Sequence, residues 1–495
     1  MNLPESSIQN TESQASKNRR SGAPSARKAL ERTIKNGAVR RPEALELAEI
    51  SDAVACRRLE PWAMLSALRR RLPCNRVSTC CRIPLPPTVR GVVGVQVLHR
   101  SAPAGQPGAR VQVRYGNLGV CGNVWVCPVC APRMARRRSA EIRRALTRHV
   151  AGGGRVMLVT LTHHHSRDGY LPEQLRLQAA ALMHMQGTRS YRTLCIDHGV
   201  IGFIRALEVT HSRRAGWHVH LHLVVFLAGS KAQAEQHAVQ MRQMDAAAPT
   251  RRAGKPVPDR AAVNVAQVRR LPKFGRLYVD AWCKAAETVG LHVRPGGQRA
   301  EVAGLDLATL ERLADYLTKA GHAGARPEDN LAAFEGSATD HAAAVRSVEG
   351  AGRQSSESVA DKLSRAPIRL KHGQGKTPME YLREYTFRDD RHAGALFAEY
   401  AAAIAGRASL SWSRGLKALY QIAEPTPEED KRSLASMVPD EVLLTVITPS
   451  EWRAVLRGSP LTRGKLLEYA RKLDLQGLRQ RIDELVAMHP PQAGP

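Results

Sequence analysis

The sequence predicts a fold of mixed α and β structure, because it contains one strand hairpin and several amphipathic helical segments. In residues 217–227 apolar side chains alternate with histidines, and β-branched and aromatic residues are frequent. This pattern is typical of a strand. Residues 202–210 show a second strand pattern, and the polar segment 211–216 between the two ends in a glycine. Apolar side chains recur at helical spacing in residues 132–150, 171–185 and 305–320.

Length and charge limit the possible functions. The chain has 495 residues, enough for two or three domains, and its 74 basic against 45 acidic residues give a net charge of +29. This charge predicts a polyanionic partner. No apolar run approaches the roughly 18 residues of a spanning helix, and the N terminus is polar without an apolar core. We therefore expect a cytoplasmic, nucleic-acid-binding protein that does not enter a membrane.

The N-terminal region divides into an arm and a folded part. Residues 1–41 are rich in Ser, Asn, Gly, Arg and Lys and poor in bulky apolar side chains, so we expect a disordered basic arm. Residues 42–150 are expected to contain a helical segment, a cysteine-rich zinc-binding region and a basic helix.

The cysteines have the spacing of metal ligands. Cys127 and Cys130 form a Cys-x-x-Cys pair, and Cys121 precedes them by six residues. Structural zinc takes four ligands, so the fourth is expected to be Cys80 or Cys81. A redox-active Cys-x-x-Cys is the alternative, but the nearby additional cysteines favour zinc.

Residues 132–150 predict a helix that is strongly basic. A solvated face is one interpretation, but in a chain of this charge we expect it to contact phosphates. A glycine run ends the helix, and residues 155–162 then predict a buried strand. The arginines expected to bind DNA are Arg133, Arg136, Arg137, Arg138, Arg143 and Arg144.

Three histidines lie on one face of the strand 217–227. A strand has a side-chain period of two, so His218, His220 and His222 point the same way. The hairpin register can place Glu208 opposite them. Two imidazoles and a carboxylate suit Mg²⁺ or Mn²⁺, with Glu208 or His218 as the third ligand. The alternative is a row of satisfied histidines, and His163 to His165 are expected to be a polar loop at a strand end.

The helix predicted at residues 305–320 carries a tyrosine and a lysine. Tyr316 and Lys319 are three residues apart, beside the apolar stripe of the helix. Taken alone, the pair indicates only an interfacial tyrosine and a surface lysine.

Several segments together resemble one protein family. Residues 220–225 are similar to the histidine–hydrophobic–histidine motif of HUH endonucleases, and 207–222 resemble the plasmid rolling-circle replication initiators within that superfamily. Residues 121–130 (CGNVWVCPVC) are similar to the run that opens the catalytic region of these initiators. Residues 155–162 and 314–319 resemble the first and third HUH motifs, in the family's order.

The resemblance implies an α+β fold in which the metal strand is central in a five-stranded antiparallel HUH sheet and the tyrosine helix packs across it. It implies that Tyr316 attacks a DNA phosphate, forming a 5′-phosphotyrosyl link and freeing a 3′-OH primer, and that Lys319 assists. It also implies plasmid origin DNA, single-stranded or as a hairpin, and a host helicase and polymerase as partners. The residues expected to hold the cation are His220, His222, His218 and Glu208.

One position departs from the family pattern. The closest members have a glutamate four residues before the tyrosine, which is thought to activate water for the terminating cleavage. Here that residue is Arg312, so Asp315 or Glu311 is expected to take part in termination.

The expected organisation is a catalytic domain at residues 151–323, followed by C-terminal segments without chemistry of their own. These are a linker at 324–375, a family segment at 376–420 and a helical tail at 421–495. Two other functions agree with the sequence: a non-catalytic zinc-containing DNA-binding regulator, and an HUH nickase of conjugation or transposition.

Overall fold

The computed structural model describes residue 46 and residues 53–72, 76–86, 93–102, 111–247, 271–318, 375–423 and 440–490. The predicted basic arm, the segment 319–374 and Lys319 within it lie outside the described residues. No helix in the described ranges is long and apolar enough to cross a membrane.

Thirteen helices and eight strands make up the described part of the chain. The helices are α1 (Ala53–Arg71), α2 (Cys130–Ala151), α3 (Leu171–Gly187), α4 (Arg189–Asp197), α5 (Lys231–Ala247), α6 (Leu271–Thr288), α7 (Leu307–Thr318), α8 (Pro378–Arg388), α9 (Arg391–Ala403), α10 (Leu416–Leu419), α11 (Pro449–Arg457), α12 (Thr462–Arg471) and α13 (Leu475–Met488). The strands are β1 (Val95–Arg100), β2 (Gln112–Gly116), β3 (Arg155–Thr162), β4 (Val200–Ser212), β5 (Gly216–Leu227), β6 (Arg299–Val302), β7 (Leu410–Trp412) and β8 (Val442–Ile447).

A five-stranded sheet with the order β6-β3-β5-β4-β7 forms the centre of the molecule. All of its neighbouring strands are antiparallel, and the histidine strand β5 is the middle one. The predicted α+β fold, with a five-stranded antiparallel sheet and the histidine strand at its centre, is therefore confirmed. The fifth strand, β7, comes from residues 410–412, outside the segment 151–323 predicted to hold the catalytic domain.

The β4–β5 hairpin is longer than the sequence pattern predicts. β4 continues to Ser212, so the turn contains only residues 213–215, and His211 lies in the strand, where its ring nitrogen bonds the Tyr381 hydroxyl at 2.7 Å. Gly216 has a φ of +73°, and a Cβ there would lie 2.3 Å from the Ser166 carbonyl oxygen. Only glycine therefore allows the hairpin tip to pack against the loop after β3.

The two faces of the central sheet are covered by different helices. Val219, Leu221 and Leu223 of β5 are buried in a core that also contains Phe274 and Trp282 of α6. Val224 and Phe226 point to the opposite face, into a second core with residues of α2 and α7. Because side chains alternate along a strand, the histidines of β5 lie on this second face, beside α7.

A second, three-stranded sheet joins the N-terminal and C-terminal regions of the chain. Its order is β2-β1-β8, so a strand of the C-terminal region pairs with β1. Tyr115 of β2 donates a hydrogen bond to the Arg463 carbonyl at 2.7 Å and packs edge-on against Trp452, with ring centroids 5.1 Å apart. Arg58 of α1 binds Glu468 of α12 through two hydrogen bonds. The prediction of a purely helical tail is thus incomplete, since this region supplies a strand and packs on the N-terminal region.

Candidate active site and metal centre

The histidine row begins at the centre of the sheet with His222. The register places His222 opposite Thr160 on β3 and opposite Ala206 on β4. Its Nε2 lies 2.8 Å from a carboxylate oxygen of Glu208, and its Nδ1 lies 3.1 Å from the Thr160 hydroxyl. If Nε2 carries the proton and donates it to Glu208, Nδ1 accepts a hydrogen bond from Thr160. The imidazole is therefore fixed from both neighbouring strands.

The row continues towards the hairpin tip with His220 and His218. Glu208 is directly opposite His220 in the β4–β5 register. The Nε2 atom of His220 is 2.9 Å from the Nδ1 atom of His218, and the His218 ring stacks on His165 with centroids 4.0 Å apart. His165 lies in a loop at the end of a strand, as predicted, and extends the row by one ring.

Tyr316 of α7 lies over the inner end of the row. Its hydroxyl is 3.4 Å from each ring nitrogen of His222, and the two rings meet edge to face with centroids 4.9 Å apart. The family resemblance implied that the tyrosine helix packs across the histidine strand, and the structure brings Tyr316 and His222 together. Lys319 lies outside the described residues.

The electrostatics of the row favour metal-binding forms of the side chains. Burial, followed by the neighbouring imidazoles, lowers the pKa of His218 to about 3. Burial likewise lowers the pKa of His220 to about 4, although Glu208 acts in the opposite direction. Burial alone would raise the pKa of Glu208, but the hydrogen bond from His222 and the histidine charges lower it to about 2. Neutral imidazoles beside an ionised carboxylate are the ligand forms that a divalent cation requires.

The donor atoms of the row are at present paired with one another. Glu208 bonds His222 and His218 bonds His220, so the two pairs do not converge on one point. Among the residues that the structure describes, only the cysteines form a group of three or more candidate ligands whose donor atoms all lie within 4.8 Å. The imidazole and carboxylate groups of the row are suitable ligands for Mg²⁺ or Mn²⁺. Glu208 and His218, the two candidates for the third ligand, both belong to the row.

Four cysteines form a compact group that could hold a metal such as zinc: Cys80, Cys121, Cys127 and Cys130. The Sγ atom of Cys80 is 3.5 Å from that of Cys130 and 3.6 Å from that of Cys127, and Cys121 is 3.7 Å from Cys130. Sulfur atoms about 2.3 Å from a tetrahedral zinc are about 3.8 Å apart, so the spacing fits a four-thiolate site.

The positions of the sulfur atoms also decide between Cys80 and Cys81 as the fourth cysteine of the group. Cys81 has its Sγ 3.7 Å from that of Cys80, but it is not part of the convergent group. The backbone of Cys81 has a φ of +53° and bonds to the Gly119 carbonyl, which turns consecutive side chains apart. Cys80 is therefore the fourth member of the cluster.

The arginines of α2 do not form one free surface. Arg137 pairs with Glu141 at 3.3 Å, Arg143 pairs with Glu311 at 3.1 Å, and Arg138 bonds the Ser409 hydroxyl. Arg136 and Arg144 are exposed, and Arg133 is partly exposed. Half of the six arginines predicted to bind DNA are thus engaged in contacts within the molecule.

The carboxylates predicted to take part in termination, Asp315 and Glu311, lie on the side of α7 that contacts α2. Asp315 accepts a hydrogen bond from Ser139 of α2, and Glu311 pairs with Arg143 of the same helix. Burial raises the pKa of Tyr316, the charges of Glu208 and Glu301 raise it further, and the charge of Arg299 opposes them. Arg299 and Glu301 are not predicted from the sequence, because the four residues of β6 are too few to show a strand pattern.

Comparison with known proteins supports the resemblance over part of the chain. Residues 116–245 match a family model described as replication protein. "Protein rep" of Streptomyces lividans is 31% identical over 147 residues, which cover 24% of this chain and 32% of that protein. "Neomycin resistance protein" of Streptomyces cyanogenus is 32% identical over 133 residues, or 22% and 30% of the two chains. The chain thus spans about a third of the length of these relatives. No solved structure shows significant similarity.

Over this matched region the resemblance to plasmid replication proteins is confirmed. The match includes the cysteines of 121–130, the basic helix and the entire histidine strand, but it ends before Tyr316.

Proposed function

We propose that the protein initiates rolling-circle replication of a plasmid by nicking origin DNA through Tyr316. The observation that supports this most is the position of the Tyr316 hydroxyl, 3.4 Å from His222 on the central strand. A nucleophile and a cluster of neutral imidazoles beside a carboxylate are the groups that phosphodiester transfer needs. The match of residues 116–245 to replication proteins supports DNA as the proposed substrate class.

In the proposed reaction the Tyr316 oxygen attacks the scissile phosphorus and the bond to the 3′ oxygen breaks. The product is a 5′-phosphotyrosyl link and a free 3′-OH, which primes synthesis by the host polymerase behind a host helicase. Because one phosphodiester replaces another, the step is reversible and the strand can later be rejoined. Tyr316 is protonated at rest, since its burial raises its pKa, so it must lose its proton during attack.

The proposed roles of the surrounding residues follow from their positions. His220 and His222, with Glu208 or His218, would hold Mg²⁺ or Mn²⁺, which when bound polarises the phosphate oxygens. Thr160 and Glu208 keep the His222 ring in place from both sides. Lys319 would contribute positive charge three residues beyond the tyrosine.

Two further assignments belong to the same proposal. Zinc at the four cysteines would have a structural role, since all four ligands come from the protein and no position is left open for a substrate. The exposed arginines of α2, Arg136 and Arg144, would contact DNA phosphates, and the reaction would take place in the cytoplasm.

The test uses a pool of randomised single-stranded oligonucleotides with Mn²⁺ and the full chain. Covalent protein–DNA adducts are recovered under denaturing conditions, sequenced, and used to define one substrate oligonucleotide. Tyr316→Phe should form no adduct, whereas the control Tyr170→Phe, at an exposed tyrosine, should form it normally. An adduct with Tyr316→Phe would contradict the proposal.

Variants of the histidine row test the metal assignment separately. His220→Ala and His222→Ala should abolish nicking of the selected oligonucleotide and leave DNA binding largely intact, because phosphate contacts elsewhere supply most of the affinity. Full Mn²⁺-dependent nicking by the double variant would refute the assignment. Tight DNA binding by the wild type without any cleavage would favour the non-catalytic regulator.

A further inference from the structure

The turn that carries Cys80 is held by side chains from both ends of the chain. The backbone carbonyls of residues 80–82 each accept a hydrogen bond from a side chain of a distant helix. In order of the carbonyls, the donors are Arg69 of α1 at 2.6 Å, Arg463 of α12 at 2.9 Å and Trp452 of α11 at 2.8 Å. Two of the three donors therefore belong to the C-terminal region.

Arg463 is a charged side chain in a buried position. It is 5% exposed, and its guanidinium lies over the Trp62 ring, 4.9 Å from the centroid. Gly464 allows α12 to lie this close to α1, since a Cβ there would lie 2.3 Å from a methyl carbon of Leu59. Within the described ranges neither Arg463 nor Arg69 forms an ion pair with a carboxylate. A buried charge is costly unless an opposite charge compensates it.

The cysteine group supplies this opposite charge when it holds a divalent cation. Four thiolates and one divalent cation together carry two negative charges. Three of the four cysteines are buried, so solvent screens this charge poorly. Arg69 and Arg463 bring two positive charges to the turn that carries Cys80, so the charges match in sign and in number.

We propose that the C-terminal region, residues 440–490, completes this metal centre, because Arg463 together with Arg69 neutralises the metal-bound thiolates. The inference rests on the proposed metal at the cysteines and assigns a role to the C-terminal region. Metal binding then stabilises the docking of α12 on α1, and docking raises the affinity for the metal by the same factor, since such coupling is reciprocal. Trp452 holds the same turn without contributing a charge.

The first experiment measures the zinc affinity of the full chain by competition with a chromogenic chelator. Arg463→Met removes the charge and keeps an apolar side chain on Trp62. It should lower the affinity by about 10–100-fold, the usual effect of residues that support metal ligands. Arg463→Lys retains the charge and should recover part of this loss. Wild-type affinity in Arg463→Met, or equal losses in the two variants, would overturn the proposal.

Arg58→Met is the matched control at the same contact between α1 and α12. Arg58 forms two hydrogen bonds with Glu468 of α12, so its removal weakens the contact without altering the charges beside the cysteines. The zinc affinity of this variant should stay within about threefold of the wild type, below the range expected for a residue that supports a metal ligand. A loss as large as that of Arg463→Met would assign the effect to the contact as a whole and overturn the role of the charge.

The second experiment needs no substitution, so it does not depend on whether the variants fold. Hydrogen exchange is measured on wild-type protein before and after a chelator removes its zinc. The amides of β8 that pair with β1 should exchange about 10–100-fold faster without zinc, whereas those of the β4–β5 hairpin should be unchanged. Unchanged protection of β8, or an equal increase in the hairpin, would refute the coupling. Wild-type protein that binds no zinc would instead refute the metal assignment itself.

Discussion

Replacing Cys80 should release the metal of the cysteine cluster, whereas replacing its neighbour Cys81 should not. The two residues are adjacent in sequence, and both are buried. The Sγ atom of Cys80 lies 3.5 Å from that of Cys130 and 3.6 Å from that of Cys127, whereas Cys81 is not part of the group whose sulfur atoms converge. Cys80→Ser and Cys81→Ser are therefore chemically identical changes with opposite expected results.

The size of the effect follows from the number of ligands. Structural zinc sites bind with roughly 10–16 kcal/mol, so one of four equivalent thiolates accounts for about 2.5–4 kcal/mol. The neutral hydroxyl of serine is a poor substitute, and the apparent affinity should fall by two to three powers of ten, at about 1.4 kcal/mol per tenfold change. Binding to the folded state contributes to its stability, so the thermal transition should move to lower temperature in Cys80→Ser.

Zinc content after purification without chelator is the first measurement, with about one zinc per chain expected for the wild type and Cys81→Ser. Competition with a chromogenic chelator gives the affinities, and the intensity of the thiolate-to-Co²⁺ absorption in the cobalt-substituted protein counts the sulfur ligands. Three sulfur ligands in Cys80→Ser and four in Cys81→Ser would agree with the structure. A zinc-replete Cys80→Ser beside a zinc-free Cys81→Ser would refute the geometry.

Acid stability should depend on His149, since burial lowers its pKa from 6.5 to about 4. Between these two pH values the unfolded chain binds one proton more than the folded chain. The contribution of His149 to the free energy of unfolding is therefore fully present above pH 6.5 and falls by about 3 kcal/mol towards pH 4. In denaturant titrations from pH 7 to 5, His149→Gln should reduce the pH dependence of the free energy of unfolding by about one proton, and an unchanged pH dependence would contradict this. Affinity for nonspecific duplex DNA should fall steeply with salt, and the double change of Arg136 and Arg144 to Ala should reduce the log–log slope by up to about two, at roughly 0.9 per phosphate contact; an unaltered slope would exclude these arginines. Tyr115→Phe should lower the free energy of unfolding by about 1–3 kcal/mol, because the buried carbonyl of Arg463 loses its hydroxyl donor; a loss below about 0.3 kcal/mol would show that this contact does not join the two ends of the chain.

The parts of the site that the sequence predicted are those with a strong local pattern. The alternation of His218, His220 and His222 fixes their common face, because the period of a strand is two. The apolar stripe of α7 likewise fixes which side of the helix packs down, and Tyr316 lies at the edge of that stripe. The order of the sheet came from the family resemblance, since no local pattern specifies which strands become neighbours.

The parts that the sequence missed depend on contacts between distant residues. β7 and β6 have three and four residues, too few for an alternating pattern to appear. β8 has a clear apolar run, but its partner β1 lies more than 300 residues earlier, so the sequence pattern predicts only a helical tail there. The position of Glu301 follows from pairing of β6 with β3, and no propensity of the residue itself could reveal it.

The cysteine cluster and Tyr316 are connected through α2. Cys130 is the first residue of α2, and Cys80 is held from α1 by Arg69, which donates a 2.6 Å hydrogen bond to its carbonyl. Further along α2, Ser139 and Arg143 bind Asp315 and Glu311, the two carboxylates of α7 that precede Tyr316. A metal at the cysteines would therefore fix the start of the helix against which the tyrosine helix is positioned. Through Asp315 and Glu311, α7 is in turn held against α2.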